Sequence, residues 1–250
     1  MSRFLSRRSL LAASAGLALW PAAGRAFGDA SRFVPAMARH RGRWDARDSG
    51  LRRLSWELQR RTSVDVIPEA RPVALDSPQL FRSPFLYLGG DGGLPALTDA
   101  EVGNLRRFLT YGGFLLADAN DGSNGSGFDA DFRREMARVL PRSRLQPLSD
   151  DHVVFKSFYL LDGAPGRLLT HPRLSTLQLS GRAAVIYSQN DLAGAWSRDE
   201  GGSWAFDVTP GGERQRELAF RMGINLCMYA LCLDYKDDAV HLEHIMSKRR

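Results

Sequence analysis

The sequence predicts an α/β protein: a single domain built as a three-layer α/β/α sandwich with a mostly parallel sheet. Two apolar runs, 84–89 and 114–117, indicate buried strands, and an amphipathic segment from 98 to 111 lies between them. A strand, a helix, a Gly-Gly stop and a second strand in close succession are typical of a right-handed parallel crossover. The segment 213–233 is apolar on nearly all sides, which indicates a buried helix.

The first predicted helix covers 45–61, where Leu51, Leu54 and Leu58 recur at helical spacing. Prolines then break the pattern before a short extended segment at 73–75. In the second helix, Thr98 followed by Glu101 has the spacing of a capping box, which predicts where that helix begins. Gly112 and Gly113 are expected to end it.

The second half of the chain continues the alternation of helices and strands. A helix is predicted over 128–140, because Pro141 follows it directly. Strands are predicted over 177–179 and 183–187. The apolar stretch 152–161 has a mixed period, so it is either a strand or a short helix. A domain over 43–241 and a C-terminal tail over 242–250 are therefore expected.

Residues 1–30 are predicted to be an export signal. The paired Arg7 and Arg8 precede an apolar run over 10–20, and small residues follow. This arrangement resembles a twin-arginine signal, which implies the twin-arginine translocase as a partner and a periplasmic location. An amphipathic N-terminal helix is the alternative.

Cleavage of the signal is expected after Ala26 or after Ala30. A cut after Ala26 removes four arginines and lowers the formal net charge from +6 to +2. The basicity belongs mainly to the signal, so nucleic-acid binding is not expected. No stretch reaches the ~18 consecutive apolar residues of a membrane span, so none is expected in the mature chain.

Two cysteines, Cys227 and Cys232, lie on the predicted last helix. Five positions separate them, which places them roughly 140° apart around a helix and disfavours a mutual disulfide. Both are therefore expected to be buried thiols that pack as small apolar groups.

Polar side chains follow three of the predicted strands. The carboxyl ends of parallel strands line the ligand crevice of an open sheet, so these side chains could converge in one pocket. The alternative is that Asp, Asn and Gly occupy strand-ending turns because they cap the backbone and tolerate positive φ. The candidates for catalysis are Asp118, Asp121 and Asp191, and those for ligand binding are Asp91, Asn120, Ser188, Asn190 and His152.

Several familiar sites do not fit the spacing. The loop after Asp118 has no calcium-binding register of the EF-hand type: counted from Asp118 the glycine falls at position 5, and counted from Asn120 the third position is Gly122 instead of an oxygen ligand. The histidines and cysteines lack zinc spacing, and neither a P-loop nor a G-x-S-x-G elbow occurs. No cofactor or metal is therefore expected, although oxygen ligands from several loops leave a metal site open.

A glycine-rich segment, WSRDEGGSWAFD at 196–207, carries three aromatic residues. Such a segment could close over a sugar with its aromatic faces. The alternative is that the aromatic rings pin a long loop to the core.

Six stretches, in chain order, resemble the family known as domain of unknown function 4159. They are PFLYLGG, LTDAEVGNLRRFLTYGGFLLAD, FRREMARVLP, DHVVFKSFY, RAAVIYSQNDLAGAW and AFRMGINLCMYAL. The resemblance covers Arg43 to His241. It implies a bacterial protein with the class I glutamine amidotransferase-like superfold, which is a flavodoxin-like α/β/α sandwich.

The same resemblance argues against amidotransferase activity. Glutamine amidotransferases carry a nucleophilic cysteine at the elbow after the corresponding strand, and here Asp118, Ala119 and Asn120 stand in its place. No thiolate can form at that position.

The sequence therefore predicts an exported domain that binds a small ligand or an envelope partner at the strand ends, without catalysis. The alternative is a hydrolase that uses Asp carboxylates, with or without a metal, on a polar or carbohydrate substrate. A purely structural subunit is a third possibility.

Overall fold

A computed structural model of the protein describes residues 32–122 and 124–247, with side chains up to residue 232. The predicted signal at 1–30 lies outside the described residues. The strands are β1 (Ala36–Arg39), β2 (Arg71–Ala74), β3 (Phe85–Gly90), β4 (Phe114–Ala119), β5 (Gln146–Pro147), β6 (Ser175–Leu179) and β7 (Arg182–Ser188). The α-helices are α1 (Asp48–Arg61), α2 (Asp99–Thr110), α3 (Gly127–Val139), α4 (Leu192–Trp196) and α5 (Gly212–Ser247).

The strands form one seven-stranded sheet in the order β2-β1-β3-β4-β7-β6-β5. The pairs from β2 to β7 are parallel, and the pairs β7–β6 and β6–β5 are antiparallel. The sheet is therefore mostly parallel, as predicted, with an antiparallel extension at one edge. The carboxyl ends of β1, β3, β4 and β7 consequently lie along the same side of the sheet.

Helices cover both faces of the sheet. On β3, Phe85 and Tyr87 pack with α1, α4 and α5, whereas Leu86 and Leu88 pack with α2 and α3. Successive strand residues point to opposite faces, so a strand that is apolar at every position is buried on both sides. This explains why the continuous apolar runs predicted the central strands.

Several element boundaries differ from the sequence-based expectation. The first strand precedes the predicted domain start at 43, and α5 continues to Ser247, into the segment expected as a tail. The ambiguous stretch 152–161 contains a 3₁₀ turn, Val153–Lys156. The capping box of Thr98 and Glu101 is present as predicted. No helix among the described residues is long and apolar enough to cross a membrane.

The two cysteines are both free thiols on α5. Cys227 is buried, and its burial raises the pKa of the thiol to about 12. Cys232 is exposed, so the expectation of two buried thiols is correct only for Cys227.

Candidate functional site

Three of the predicted site residues meet at the carboxyl ends of β4 and β7. These strands are parallel neighbours, with Asp118 opposite Ser188 in the register. The amide nitrogen of Asn120 donates to Asp118 Oδ2 at 3.2 Å and to Asp191 Oδ1 at 3.3 Å. One amide thus links both carboxylates, and the three side chains form the centre of a cluster that we call the buried network.

Asp118 is fully buried and accepts four hydrogen bonds. The backbone N–H groups of Leu192 and Ala193, at the start of α4, donate to its two carboxylate oxygens at 3.0 and 2.9 Å. The Tyr87 hydroxyl and the Asn120 amide both donate to Oδ2. All four donors therefore bind the Asp118 carboxylate, and its bonds to the backbone of α4 connect β4 to the first turn of that helix.

Asp191 is the N-cap of α4 and is also fully buried. Its backbone is left-handed, with φ of 50°, a conformation that Asp tolerates better than most residues. The carboxylate accepts from Gly194 N at 3.0 Å and from Arg47 through Nε and Nη2, both at 3.0 Å. Arg167 Nε also donates to it. Two guanidinium groups therefore bind a single carboxylate.

Phe206 lies against both of these arginines. The centre of its ring is 4.3 Å from Cζ of Arg47 and 5.4 Å from Cζ of Arg167. Arg47 is only 5% exposed, and its Nη2 also donates to the carbonyl of Asn120 at 3.0 Å. The aromatic ring packs on the guanidinium groups and separates this side of the network from solvent.

Burial dominates the electrostatics of the network. It raises the pKa of Asp118 to about 7, and the negative charge of Asp191 adds to this, while the N–H groups of Ala193 and Leu192 act in the opposite direction. Burial and the charge of Asp118 also raise the pKa of Tyr87. The Tyr87 hydroxyl therefore stays protonated, as its donation to Asp118 requires.

The buried network links strands and helices rather than presenting groups to a ligand. Its members are at most 5% exposed, except Arg167 and Phe206 on its outer side. Among the described residues, Oδ1 of Asn120 is the one buried side-chain atom of the network that has no hydrogen-bond partner. Chemically, this arrangement suits a structural clamp that joins β3, β4, α4 and the residue before α1.

The other predicted residues near the ends of β4 and β7 bind backbone groups. Asp121 accepts from Phe128 N at 3.1 Å at the start of α3. Ser188 accepts from Asn190 N, and Asn190 donates to the carbonyls of Ala164 and His171. The contacts of Asp121 and Ser188 match the turn-capping alternative, whereas those of Asn190 join the end of β7 to residues 26 and 19 positions earlier in the chain.

His152 does not lie at the strand ends that carry the network. Its Nδ1 accepts from Val154 N at 3.2 Å, and its ring stacks edge-on against Tyr229 at 5.4 Å. The Tyr229 hydroxyl accepts from Ala183 N, at the beginning of β7. His152 therefore lies toward the amino end of that strand, and burial lowers its pKa.

Asp91 belongs to a separate, solvent-open cleft at the carboxyl ends of β1 and β3. Its carboxylate pairs with Arg43 at 3.3 Å, where the Arg43 side chain is 74% exposed. On the opposite wall, Asp131 accepts from Leu94 N at 3.0 Å and pairs with Arg134. This open cleft has a volume of about 500 Å³; it is lined by Gly42, Arg43, Asp91, Gly92, Gly93, Leu94, Pro95, Asp131 and Arg134.

A buried histidine joins the two loops that flank the open cleft. His40 accepts from Gly42 N through Nδ1 at 3.0 Å, so its proton lies on Nε2, which donates to the carbonyl of Gly89 at 2.9 Å. Burial lowers the pKa of His40 and keeps the ring neutral, as the accepting Nδ1 requires. The ring thereby holds together the loops that leave β1 and β3.

The glycine-rich segment 196–207 packs against the domain. Trp196 is completely buried, and the Trp204 ring is sandwiched between the guanidinium groups of Arg198 and Arg216 at 3.5 and 4.2 Å. Its aromatic faces are therefore occupied, which matches the alternative in which the rings pin the loop.

Sequence reasoning did not identify Arg47, Arg167 or Tyr87 as members of the buried network. Arg47 lies 144 positions from Asp191, and an arginine in a polar segment normally indicates solvent exposure. No group of three His, Cys, Asp or Glu side chains in the described part of the chain is arranged to hold a metal ion.

The comparisons with known proteins place this fold in a family without assigning it an activity. No curated protein matches the chain. The sequence profile of one family matches residues 35–231, which include all seven strands and most of the helices. The chain therefore belongs to the family described as Domain of unknown function (DUF4159).

Proposed function

We propose that this protein is an exported, non-catalytic binding domain of the glutamine amidotransferase-like superfold. Its ligand is a polar small molecule, of the carbohydrate type, held in the open cleft between the loops that follow β1 and β3. A twin-arginine signal at 1–30 delivers it to the periplasm, where it serves an envelope-associated assembly.

The strand order supports the fold assignment. The five parallel strands run β2-β1-β3-β4-β7, which is the flavodoxin-like order 2-1-3-4-5 with β7 in the fifth place. In this order the chain reverses its direction of travel along the sheet between β1 and β3. Ligands of such sheets bind outside the carboxyl ends of the strands at that reversal point, which is where the open cleft lies.

The contrast between the two sets of aspartates carries the proposal. Asp118 and Asp191 are fully buried and hydrogen-bonded within the domain, whereas Asp91 and Asp131 line a cavity that solvent enters. A ligand reaches only the second set without unfolding part of the structure. Binding therefore belongs to the open cleft.

The side chains of the open cleft suit recognition of a hydroxylated ligand. Two guanidinium groups and two carboxylates alternate around it, so donors and acceptors are both available. Its lining contains no Cys, Ser or His, and each of its two carboxylates is paired with an arginine. Its volume is within the usual range for sites of small molecules, about 300–1,000 Å³.

The alternative is hydrolysis by the Asp carboxylates of the buried network. The observation that favours it is the raised pKa of Asp118 beside a second carboxylate, which is a common property of catalytic acids. A reaction there requires Phe206 and Arg167 to move away and admit substrate. The two functions therefore differ in which aspartates the ligand needs.

A thermal-shift screen with a panel of neutral and charged monosaccharides tests the assignment. We expect at least one compound to raise the melting temperature of the mature wild type, and expect Asp91→Ala with Arg134→Ala to abolish that shift. Asp65→Ala is the matched control, because it removes the carboxylate of an exposed Arg–Asp pair away from the open cleft. A shift that survives the cleft variant contradicts the proposed site.

Turnover of the ligand found in this screen separates the two functions. Product formation that disappears in an Asp118→Asn variant, which still binds the ligand, would establish the hydrolase. A separate experiment tests export. We expect a reporter fused to residues 1–30 to reach the periplasm, and we expect the double substitution Arg7→Lys and Arg8→Lys to block its export. A reporter that remains in the cytoplasm contradicts the export assignment.

A further inference from the structure

A second cavity lies on the outer side of α1, apart from both the open cleft and the buried network. Its volume is about 300 Å³. Three arginines contribute to its wall, two from α1 and one from the turn after α4, and Trp56 and Pro68 supply an apolar side. The lining residues are Ser49, Arg52, Arg53, Trp56, Pro68, Arg198 and Asp199.

Two of these arginines have donors without acceptors. The Nε atoms of Arg53 and Arg198 are both shielded from solvent, and neither has a hydrogen-bond partner among the described residues. A buried N–H that lacks an acceptor costs about 1–3 kcal/mol, so native proteins rarely retain one without a reason. Both atoms belong to residues that line one cavity, and turning either Nε toward that cavity would let a bound acceptor satisfy it.

The positive charge of Arg198 is not held in a direct ion pair. The described part of the chain contains no ion pair that involves it, although its Nη1 donates to the carbonyl of Gly202. Its guanidinium lies 3.5 Å from the centre of the Trp204 ring. Burial lowers its pKa, and the like charges of Arg53 and Arg216 add to this effect, whereas the charges of Glu213 and Glu57 act in the opposite direction. The fold thus holds like charges close together.

The nearby carboxylates are already bound elsewhere. Asp48 pairs with Arg52 at 2.7 Å, and Glu57 lies between Arg53 and Arg61. The Asp199 carboxylate accepts from Ser203 N at 2.8 Å, within its own turn. These carboxylates compensate part of the charge of Arg52 and Arg53. They leave the Nε donors and the charge of Arg198 for a ligand.

We propose that this cavity binds the phosphate group of a phosphorylated small molecule. Three guanidinium groups line this one cavity, and guanidinium donors match the charge and the several oxygens of a phosphate. The cavity is larger than an inorganic phosphate, so the remainder of the ligand packs on Pro68 and on the part of the Trp56 ring that the Arg53 guanidinium, 4.1 Å from the ring centre, leaves free. This site is independent of the open cleft, and the protein can possess either one without the other.

Calorimetric titration of the mature protein tests the proposal. The probes are inorganic phosphate and glycerol 3-phosphate, and sodium chloride at matched ionic strength is the reference. We expect saturable binding of at least one probe, weakened about tenfold or more by Arg53→Gln. The matched control is Arg60→Gln, because Arg60 lies on the same helix and near the same indole, at 5.1 Å, but does not line the cavity.

The outcomes separate a site from general charge attraction. Equal weakening by the Arg53 and Arg60 variants, or no binding beyond the chloride reference by the wild type, overturns the proposal. If Arg53→Gln lowers the melting temperature, Arg52→Gln gives the same test from a more exposed position. Vesicles of phosphatidylglycerol, compared with phosphatidylcholine, form a separate arm. Binding to phosphatidylglycerol that needs Arg53 assigns the phosphate to a lipid headgroup.

Discussion

The same edge of the sheet carries two arginine–aspartate clusters with opposite relations to solvent. In the buried network, Arg47 and Asp191 are 5% and 0% exposed, whereas in the open cleft Arg43 and Asp91 are 74% and 29% exposed. The residue types and the position at strand ends are alike. They differ in what shields them from solvent. The helix α4 and Phe206 lie over the buried network, whereas the loops around the open cleft leave a cavity.

This difference decides what each cluster can contribute. Removing one member of a buried pair leaves an uncompensated charge, so the pair makes the stability depend on both members. Exposed pairs contribute little to stability because water and salt screen them. We therefore expect the buried network to govern stability and the open cleft to govern binding, and the following predictions test that division.

The largest effect is expected for Asp191→Ala. The substitution leaves Arg47 charged and buried without a carboxylate, so the free energy of unfolding should fall by about 3–5 kcal/mol. Urea denaturation followed by circular dichroism measures this. Asp65→Ala, which breaks an exposed pair with Arg32, is the control and should cost less than about 1 kcal/mol. Similar losses for both variants would remove the distinction between the clusters.

The next largest effect is a pH dependence from Asp118. Its pKa is about 7 in the folded protein and 3.8 when unperturbed, so between these values the folded state binds more protons at this group than the unfolded state. The contribution of Asp118 to the free energy of unfolding should therefore fall as the pH rises from 4 to 7 and stay constant above pH 7.

Comparison of the wild type with Asp118→Asn isolates this contribution. His40, whose pKa is lowered, contributes in the opposite direction, because below pH 6.5 its imidazole takes up a proton in the unfolded state while it stays neutral in the folded state. The Asn variant should be less stable throughout, since its amide N–H faces the N–H of Leu192 or Ala193, but the Asp118 component should disappear. An identical slope in both proteins would contradict the raised pKa.

A smaller effect is expected for Gly194→Ala. A Cβ at this position would lie 2.2 Å from Asp191 Oδ2, so the carboxylate must move from its two guanidinium partners or α4 must shift. We expect a loss of about 1–3 kcal/mol in the free energy of unfolding. Gly103→Ala is the matched control, because a Cβ there meets nothing within 4 Å and α2 gains a better helix former. Destabilisation by both substitutions would point to a general cost of the methyl group.

The sequence predicted the central part of the fold because strands buried on both faces carry continuous apolar runs, as in β3 and β4. The first strand was missed, since the four residues of AMAR contain no β-branched or aromatic side chain. The helix α4 was also missed. Its five residues follow an N-cap in a left-handed conformation, and so short a helix has no recognisable hydrophobic period.

The convergence of Asp118, Asn120 and Asp191 was foreseeable from parallel strand ends, but the surroundings of these residues were not. Arg47 enters the network from a loop that precedes β2, β3 and β4 in the chain, and local pattern does not reveal such a contact. Whether a carboxylate at a strand end is buried or open depends on which loop covers it. That is a property of tertiary packing, and it separated Asp91 from Asp118.

The smallest effect on stability is expected for Asp91→Ala. This variant separates binding from stability most clearly, because it changes the open cleft and leaves the buried network intact. The pair with Arg43 is exposed, so its loss should change the free energy of unfolding by less than about 1 kcal/mol. The same variant should bind a cleft ligand at least about tenfold more weakly, which corresponds to 1.4 kcal/mol. Urea denaturation and calorimetric titration on one preparation measure both quantities. Asp91→Ala that loses stability and retains binding would reverse the roles of the two clusters, because the open cleft would then be the structural element.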